Sequence, residues 1–367
     1  MRDYHLFPIF TEMDRKQPEL VDGVVKVHPS VPKIMKEFAK GGWLTGSFPY
    51  EMDGDQLPMM VSEACNFIFG AANYSASAYT GLIIGAAHLI VSFGNKQQQE
   101  TYLPKLLAAE WQGTMALTEP EAGSSLSDVA TTAALTDEGH YLIKGQKVFI
   151  SAGDHDGVDN VIHLMLARIE GAPAGTRGIS LFIVPKKRIE SDGSLVANDL
   201  NTSGVYHKLG YRGCPIVQLS MGDKNDCHGY LVGDANNGLK CMFQMMNSAR
   251  IGVGLGATAK STAAYYATLD YAKTRCQGRN VTEKDPLKPQ IPIIEHADIK
   301  RALLFQKAVN EGSLSLLLQS AKYLDLYHVL PEGDEKEKYN LLTEILTPIV
   351  KTYPSEMGVL AIWEEKR

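Results

Sequence analysis

The sequence is sparing in cysteine, in long apolar runs and in excess positive charge. Its five cysteines, Cys65, Cys214, Cys227, Cys241 and Cys276, are scattered and form no Cys-x-x-Cys pair. That excludes a disulfide framework, and the thiols are read as reduced ones in a cytoplasmic protein. No uninterrupted run of about 18 apolar residues occurs, the length a helix needs to cross a bilayer, so no membrane span is expected. Met1 to Phe10 lack the basic-then-apolar pattern of a secretion signal. The net charge of -6 argues against nucleic acid as the main partner. A phosphate-bearing ligand stays open, because it needs only a local basic or N–H-rich spot.

What is present is the material of a globular protein. Across 367 residues, 44% are hydrophobic and 21% charged, enough for two or three packed layers around a large core. Asp226-Cys227-His228 offers metal-type side chains, but nothing nearby completes a ligand set, and a turn between strands accounts for it.

The chain has three textures. From about Pro32 to Trp111 it reads as helical: Val31 to Phe38 with Pro32 in the first turn and Gly41-Gly42 at the end, then Pro58 to Phe69, Ser77 to Phe93, and a polar-faced helix from Asn95 to about Glu110. From Gly113 to about Val232, short β-branched runs alternate with Gly, Asp and Asn turns, the spacing of a compact β-domain. After Gly238 helices return, over about 239–275, 295–327 and 335–351. Gly252, Gly254 and Gly256 lie inside the first of these. With no strand before them, they are read as a close-packing helix face rather than a nucleotide loop. The expected organisation is a helical domain over 1–112, a β-barrel-like domain over 113–232 and a helical domain over 233–367.

Two stretches stand out. One is Met-Ala-Leu-Thr-Glu-Pro-Glu-Ala-Gly-Ser, residues 115–124. The other is Lys-Gly-Gln-Lys-Val-Phe-Ile-Ser-Ala-Gly, residues 144–153. With the α, β, α order, they resemble the acyl-CoA dehydrogenase family from about residue 42 to 359. The likeness is closest to the long subgroup that includes the 3-methylmercaptopropionyl-CoA dehydrogenases, through residues 249–257, 275–279 and 293–296.

The resemblance implies an α+β multidomain acyl-CoA dehydrogenase fold, FAD as cofactor and an acyl-CoA substrate. It also implies an electron-transferring flavoprotein downstream and a homo- or hetero-oligomer. In this reaction a base takes the proton beside the thioester carbonyl, and a fixed donor favours the charge that develops on the flavin. The family pattern places Met115, Leu117, Thr118, Gly123, Ser124, Phe149, Ile150 and Ser151 around FAD. Thr118 is the donor near the flavin pyrimidine, Phe149 the aromatic wall and Ser151 a hydroxyl near N5. Ser124 falls between FAD and acyl-CoA, and Arg250 on the substrate side. Arg275 and His296 match residues that reach the flavin of a neighbouring subunit. Ser125, Asp128 and Ala297 depart from the pattern. Lys208 to Gly213 is read as a structural turn.

The resemblance supplies no base. The family's Gly-rich segment with its Glu does not appear, and the alternative position, just before Arg250, is Ala249. Glu364 and Glu365 are read as a solvated tail. The chain is therefore expected to be C-terminally truncated. It is otherwise a non-catalytic subunit whose partner supplies the Glu, or a related flavoprotein such as an acyl-CoA oxidase.

Overall fold

The computed structural model describes residues 1–364, leaving out the side chains of 244 and 245. The chain forms two compact units: Met1–Gln56 with Ser75–Met246, and Leu57–Tyr74 with the chain from Asn247 onward.

The first unit opens with α1 (Phe10–Arg15) and the hairpin of β1 (Glu19–Val21) and β2 (Val24–Lys26). Asp22 and Gly23 both take positive φ at its tip, as a two-residue hairpin turn requires. Next comes α2 (Val31–Lys40), with its proline in the first turn and Ile34, Met35 and Phe38 buried. α3 (Met59–Phe93) contributes its second half here, followed by α4 (Lys96–Leu107). A reciprocal capping box between Asn95 and Gln98 starts α4.

The strands follow: β3 (Trp111–Ala116), β4 (Thr132–Leu135), β5 (Tyr141–Ser151), β6 (Asn160–Ile169), β7 (Ile179–Pro185), β8 (Lys187–Ile189), β9 (Leu195–Ala197), β10 (Leu200–Val205), β11 (Ile216–Met221) and β12 (His228–Val232). Eight of them form one sheet in the order β10-β11-β5-β12-β7-β6-β3, while β4 pairs with both β5 and β6. Strands β5, β12, β7, β6 and β4 thus close a ring, which removes sheet edges there. Val25, Ile143, Ile150, Met165, Phe182, Val217 and Leu219 share its core. Almost all of β6 and all of β7 are buried. A Cβ on Gly113 of β3 would lie 2.6 Å from Ala86 Cβ on α3, so this helix packs directly on the sheet.

Behind β3 lie two buried imidazoles. His163 Nδ1 meets Thr114 Oγ1 at 2.7 Å, and His155 Nε2 meets Gln112 Oε1 at 3.2 Å. Burial pushes both rings down to about 3, so they are neutral in the folded protein.

The second unit is helical. α3 runs as two helices across a non-helical residue, Asn73. Its first half joins α5 (Gly238–Thr274, from residue 247), α6 (Ala297–Val329) and α7 (Asp334–Glu364). Ile251, Leu255, Leu317, Leu324 and Val350 form the core. The Asp325 carboxylate accepts from the N–H groups of Met59 and Met60 at 2.7 and 3.0 Å, which caps α3.

The close-packing reading of the α5 glycines holds at two of the three. A Cβ on Gly254 would lie 2.0 Å from the Val350 carbonyl, and one on Gly256 would lie 2.1 Å from the Tyr74 ring. Gly252 faces open space.

Three expectations change. α7 does not end near Lys351 but continues through Pro348 and Pro354 to Glu364. Each proline removes a helix hydrogen bond. The buried row Thr343, Thr347, Val350, Pro354, Gly358 and Ala361 nevertheless keeps helical spacing through both. Glu364 is consequently no solvated tail. Its carboxylate accepts from Arg301 at 3.0 Å and is 18% exposed; Glu365 lies outside the described residues. Finally, α3 is long and apolar enough to cross a membrane by length and composition alone. Its small polar residues break any continuous apolar run without lowering its overall hydropathy. Its buried Phe69, Ala72, Tyr79, Ile83, Ala86, Ala87 and Ile90 mark it as a core helix.

Candidate functional site

The loop after β3 carries the first motif. Met115 is half-buried and lies opposite Leu164 in the parallel β3–β6 ladder. The chain leaves the ladder at Leu117 and Thr118, then turns back on itself. Glu119 N–H donates to Ala122 O at 2.8 Å, and Ala122 N–H to Glu119 O at 3.2 Å. This turn presents Gly123 and Ser124 to solvent. A Cβ on Gly123 would sit 3.5 Å from Thr118 Cγ2. Among the described residues, no backbone carbonyl accepts from the N–H of Thr118, Gly123, Ser124 or Ser125.

The second motif lies on β5. Its ladder with β11 shifts register between Val217 and Leu219, whose partners are Ile150 and Lys147. Two residues of β5, Val148 and Phe149, thus face one residue of β11, which is a β-bulge. The bulge breaks alternation, so Lys147 and Val148 are both buried. Phe149 is turned outward, 59% exposed, at φ +59. An aromatic residue in the left-handed region is uncommon and costs strain, which points to a functional surface. Its ring lies 4.6 Å from that of Tyr206, tilted by 34°. Ile150 points back into the core, so only its backbone faces the bulge surface; Ser151 is half-buried opposite Ile216.

The two motifs are joined. Val148 N–H donates to Thr118 O at 2.9 Å. Beneath that bond lies a buried ion pair, Lys147 Nζ to Glu119 Oε1 at 2.7 Å. Lys147 also donates to the Leu117 carbonyl at 3.1 Å. The Glu119 carboxylate further accepts from Ala130 N at 2.6 Å and Thr131 N at 3.1 Å. Burial works to raise this carboxyl. The Lys147 charge and the hydrogen bonds from Lys147, Thr131 and Ala130 outweigh it and hold the group below the usual carboxylate range. The sequence reading gave no role to either residue. The signal was there: Lys147 shares the inward phase of Ile143 on an alternating strand, so it needed an anionic partner.

The remaining site residues lie in the helical unit. Arg250 is half-buried on α5 and donates to Asn247 Oδ1 at 3.3 Å; the preceding Ala249 is exposed. Arg275 follows the end of α5 and is exposed. Ile293 N–H donates to the Arg275 carbonyl at 2.8 Å, and His296 Nε2 lies 2.7 Å from the Gln277 carbonyl. Arg275 and His296 are therefore brought to one crossing of the chain. Lys208 to Gly213 forms a structural turn. Arg212 grips Asp14 at 2.7 Å, while Lys208 bonds the Tyr211 carbonyl at 2.7 Å and also the Cys214 carbonyl. His228 and Asp226 both contact Arg188, at 2.7 and 3.0 Å.

Known proteins share this architecture. Residues 9–110 match the acyl-CoA dehydrogenase N-terminal domain and residues 114–223 the acyl-CoA dehydrogenase middle domain. The chain belongs to the acyl-CoA dehydrogenase family. It is 43% identical over 284 residues to a butyryl-CoA dehydrogenase of Syntrophomonas wolfei, covering 76% of this chain and 46% of that one. It is 38% identical over 353 residues to the 3-methylmercaptopropionyl-CoA dehydrogenase of Ruegeria pomeroyi, covering 96% and 59%. The chain thus spans about half the length of these relatives. Among solved structures, the Megasphaera elsdenii butyryl-CoA dehydrogenase matches with a TM-score of 0.72 at 20% identity, covering 99% of this chain and 89% of that one. Caenorhabditis elegans ACDH-11 in complex with C11-CoA matches with a TM-score of 0.80 at 21% identity, covering 98% and 60%. These structures share the acyl-CoA dehydrogenase fold.

The family implies FAD, and the β unit offers features that suit a flavin. The exposed Phe149–Tyr206 pair is an apolar face for a ring system. The N–H groups of Thr118 and Ser124, which no described backbone carbonyl accepts, are donors suited to polar ring edges and phosphate.

Proposed function

We propose that this chain binds FAD and serves the α,β-dehydrogenation of an acyl-CoA thioester. The observation that carries this reading is the union of the two motifs on one surface: the Thr118 turn and the Phe149 bulge, joined by the Val148–Thr118 bond. FAD, when bound, supplies the hydride acceptor. The protein supplies fixed donors at Thr118 and Ser151, an aromatic wall at Phe149, and contact to both ligands at Ser124. Donors fixed in advance lower the barrier, because they need no reorganisation as charge develops. In the helical unit Arg250 serves the substrate. Arg275 and His296 serve the FAD of a neighbouring subunit in a homo- or hetero-oligomer. An electron-transferring flavoprotein receives the electrons, in the cytoplasm.

Ala249 offers no proton acceptor and Glu364 is engaged by Arg301, so neither of these two positions is assigned the role of base. Anaerobic mixing of the FAD-loaded protein with a panel of short, branched and thio-substituted acyl-CoAs tests the reading. Bleaching of the flavin band by at least one thioester is expected. FAD bound without bleaching by any of them would leave a flavin-binding subunit that needs a partner's carboxylate, and would overturn catalysis by this chain alone.

A further inference from the structure

We propose that the buried Lys147–Glu119 ion pair is a positioning device, which locks the Thr118 turn to the Phe149 bulge before any cofactor arrives. That the locked surface receives FAD rests on the function proposed above; the lock itself does not.

The argument starts from where the pair is bonded. Lys147 Nζ reaches two acceptors that flank Thr118 in sequence, the Leu117 carbonyl at 3.1 Å and the Glu119 carboxylate at 2.7 Å. Both bonds fix the chain on either side of the residue whose hydroxyl and N–H are to act. The Glu119 carboxylate then takes the N–H groups of Ala130 and Thr131, at the far end of the exposed excursion that carries Gly123 and Ser124. Lys147 itself is the residue before the bulge, so its anchoring also fixes the backbone from which Phe149 projects. Three segments, 117–119, 130–131 and 147–149, therefore meet at one pair of charges.

Stability is a poor reason to keep such a pair. Taking two charges out of water offsets most of their attraction, and an apolar replacement of similar volume is often no less stable. A buried pair does impose one arrangement, because every alternative leaves a charge without a partner. Supporting contacts of this kind hold a binding surface to within a fraction of an ångström.

The test uses the full chain with three variants: Lys147→Met, Glu119→Asp, and the double variant Lys147→Met with Glu119→Gln. The double variant leaves no unpaired buried charge and keeps an acceptor for Ala130 and Thr131, so it is the one expected to fold like the wild type. Amide hydrogen exchange is followed without FAD, for residues 120–129 and for β6 and β7 as a reference. FAD affinity is measured by titration, and the reduction potential of the bound flavin by equilibration with a reference dye.

In the double variant, exchange over 120–129 is expected to rise with β6 and β7 unchanged. FAD affinity should fall by about tenfold or more, and the potential should move in the negative direction as the Thr118 donor loosens. Glu119→Asp, which keeps the charge, should lie between the two. Equal acceleration in β6 and β7 would make the pair merely structural and overturn the proposal. Unchanged affinity and potential would overturn it as well. If the wild type itself binds no FAD, the flavin reading fails. Selective exchange over 120–129 would then still uphold the lock, and unaltered exchange would overturn it.

Discussion

In the β unit, Thr118 and Phe149 stand on segments joined by a buried ion pair and a ladder-type bond. In the helical unit, Arg275 and His296 stand on an exposed crossing. There Gln277 and Ile293 N–H donate to the Ile291 and Arg275 carbonyls at 3.0 and 2.8 Å, and the His296 ring meets the Gln277 carbonyl. One unit holds its residues from within; the other holds them by backbone bonds at its surface. The packing differs in the same way. The β unit buries polar pairs such as Lys147 with Glu119 and His163 with Thr114. The helical unit gains its precision from glycines that let helices approach. A site that must present fixed donors suits the first kind of support, and a close helix–helix contact suits the second.

Four predictions bear on this contrast. The largest effect is expected at Gly254, where an added Cβ meets the Val350 carbonyl at 2.0 Å. Gly254→Ala should lower the stability of the helical unit by about 3 kcal/mol or more. Thermal unfolding followed by far-ultraviolet circular dichroism checks this; an unchanged midpoint would mean that the helices yield freely.

Acid comes next. His155 and His163 protonate in the folded state only near 3. Unfolded histidine takes up a proton below about 6.5. The unfolded state therefore binds more protons between about 6.5 and 3, and stability falls as pH falls through that window. Between pH 6.5 and 5.5 the two rings together should cost the β unit about 2 kcal/mol. Urea unfolding read from the buried Trp111 measures it, and equal midpoints at both pH values would refute it. In the helical unit, burial raises the Glu63 carboxyl to about 7. Its folded state binds the proton more tightly, so its contribution grows as pH falls from 7. The two units should thus respond to mild acid in opposite directions.

Phe149 gives a smaller effect on stability than on binding. Phe149→Gly removes an exposed ring and suits the positive φ. Stability should change by less than about 1 kcal/mol, while FAD affinity falls about tenfold. Equal FAD affinity in the two proteins would take Phe149 out of the site.

The smallest effect is at Gly252, where nothing lies within 4 Å of an added Cβ. Gly252→Ala should stabilise the helix by about 0.5–1 kcal/mol. A loss of stability there would make all three glycines of α5 packing residues and sharpen the contrast with the β unit.

Much of the fold was legible in the chain, and the failures have physical causes. The helix read over 335–351 stopped short of Pro354, because local propensity weighs a lost hydrogen bond and cannot weigh a buried face. The packed row from Thr343 to Ala361 carries α7 through Pro348 and Pro354. Glu364 read as a tail for the same reason. The apolar character of α3 escaped a search for unbroken apolar runs, because glycine, serine and asparagine interrupt it at little cost in hydropathy. In the site, the Thr118 turn was legible as a short local motif. Lys147 and Glu119 were not, although both lie inside quoted motifs. They are 28 residues apart: alternation turns Lys147 inward, but only the tertiary structure brings the Glu119 carboxylate against it.

The sequence by itself determined the order of helices and strands, the family, and the residue types of the flavin surface, because periodicity, turn chemistry and short motifs are local. Tertiary structure alone decided that Phe149 faces outward, that Lys147 is buried against Glu119, and that Gly254 and Gly256 meet neighbours while Gly252 does not. Each of these depends on which backbone passes at a distance of a few ångströms, and that is set by register and packing between segments far apart in the chain.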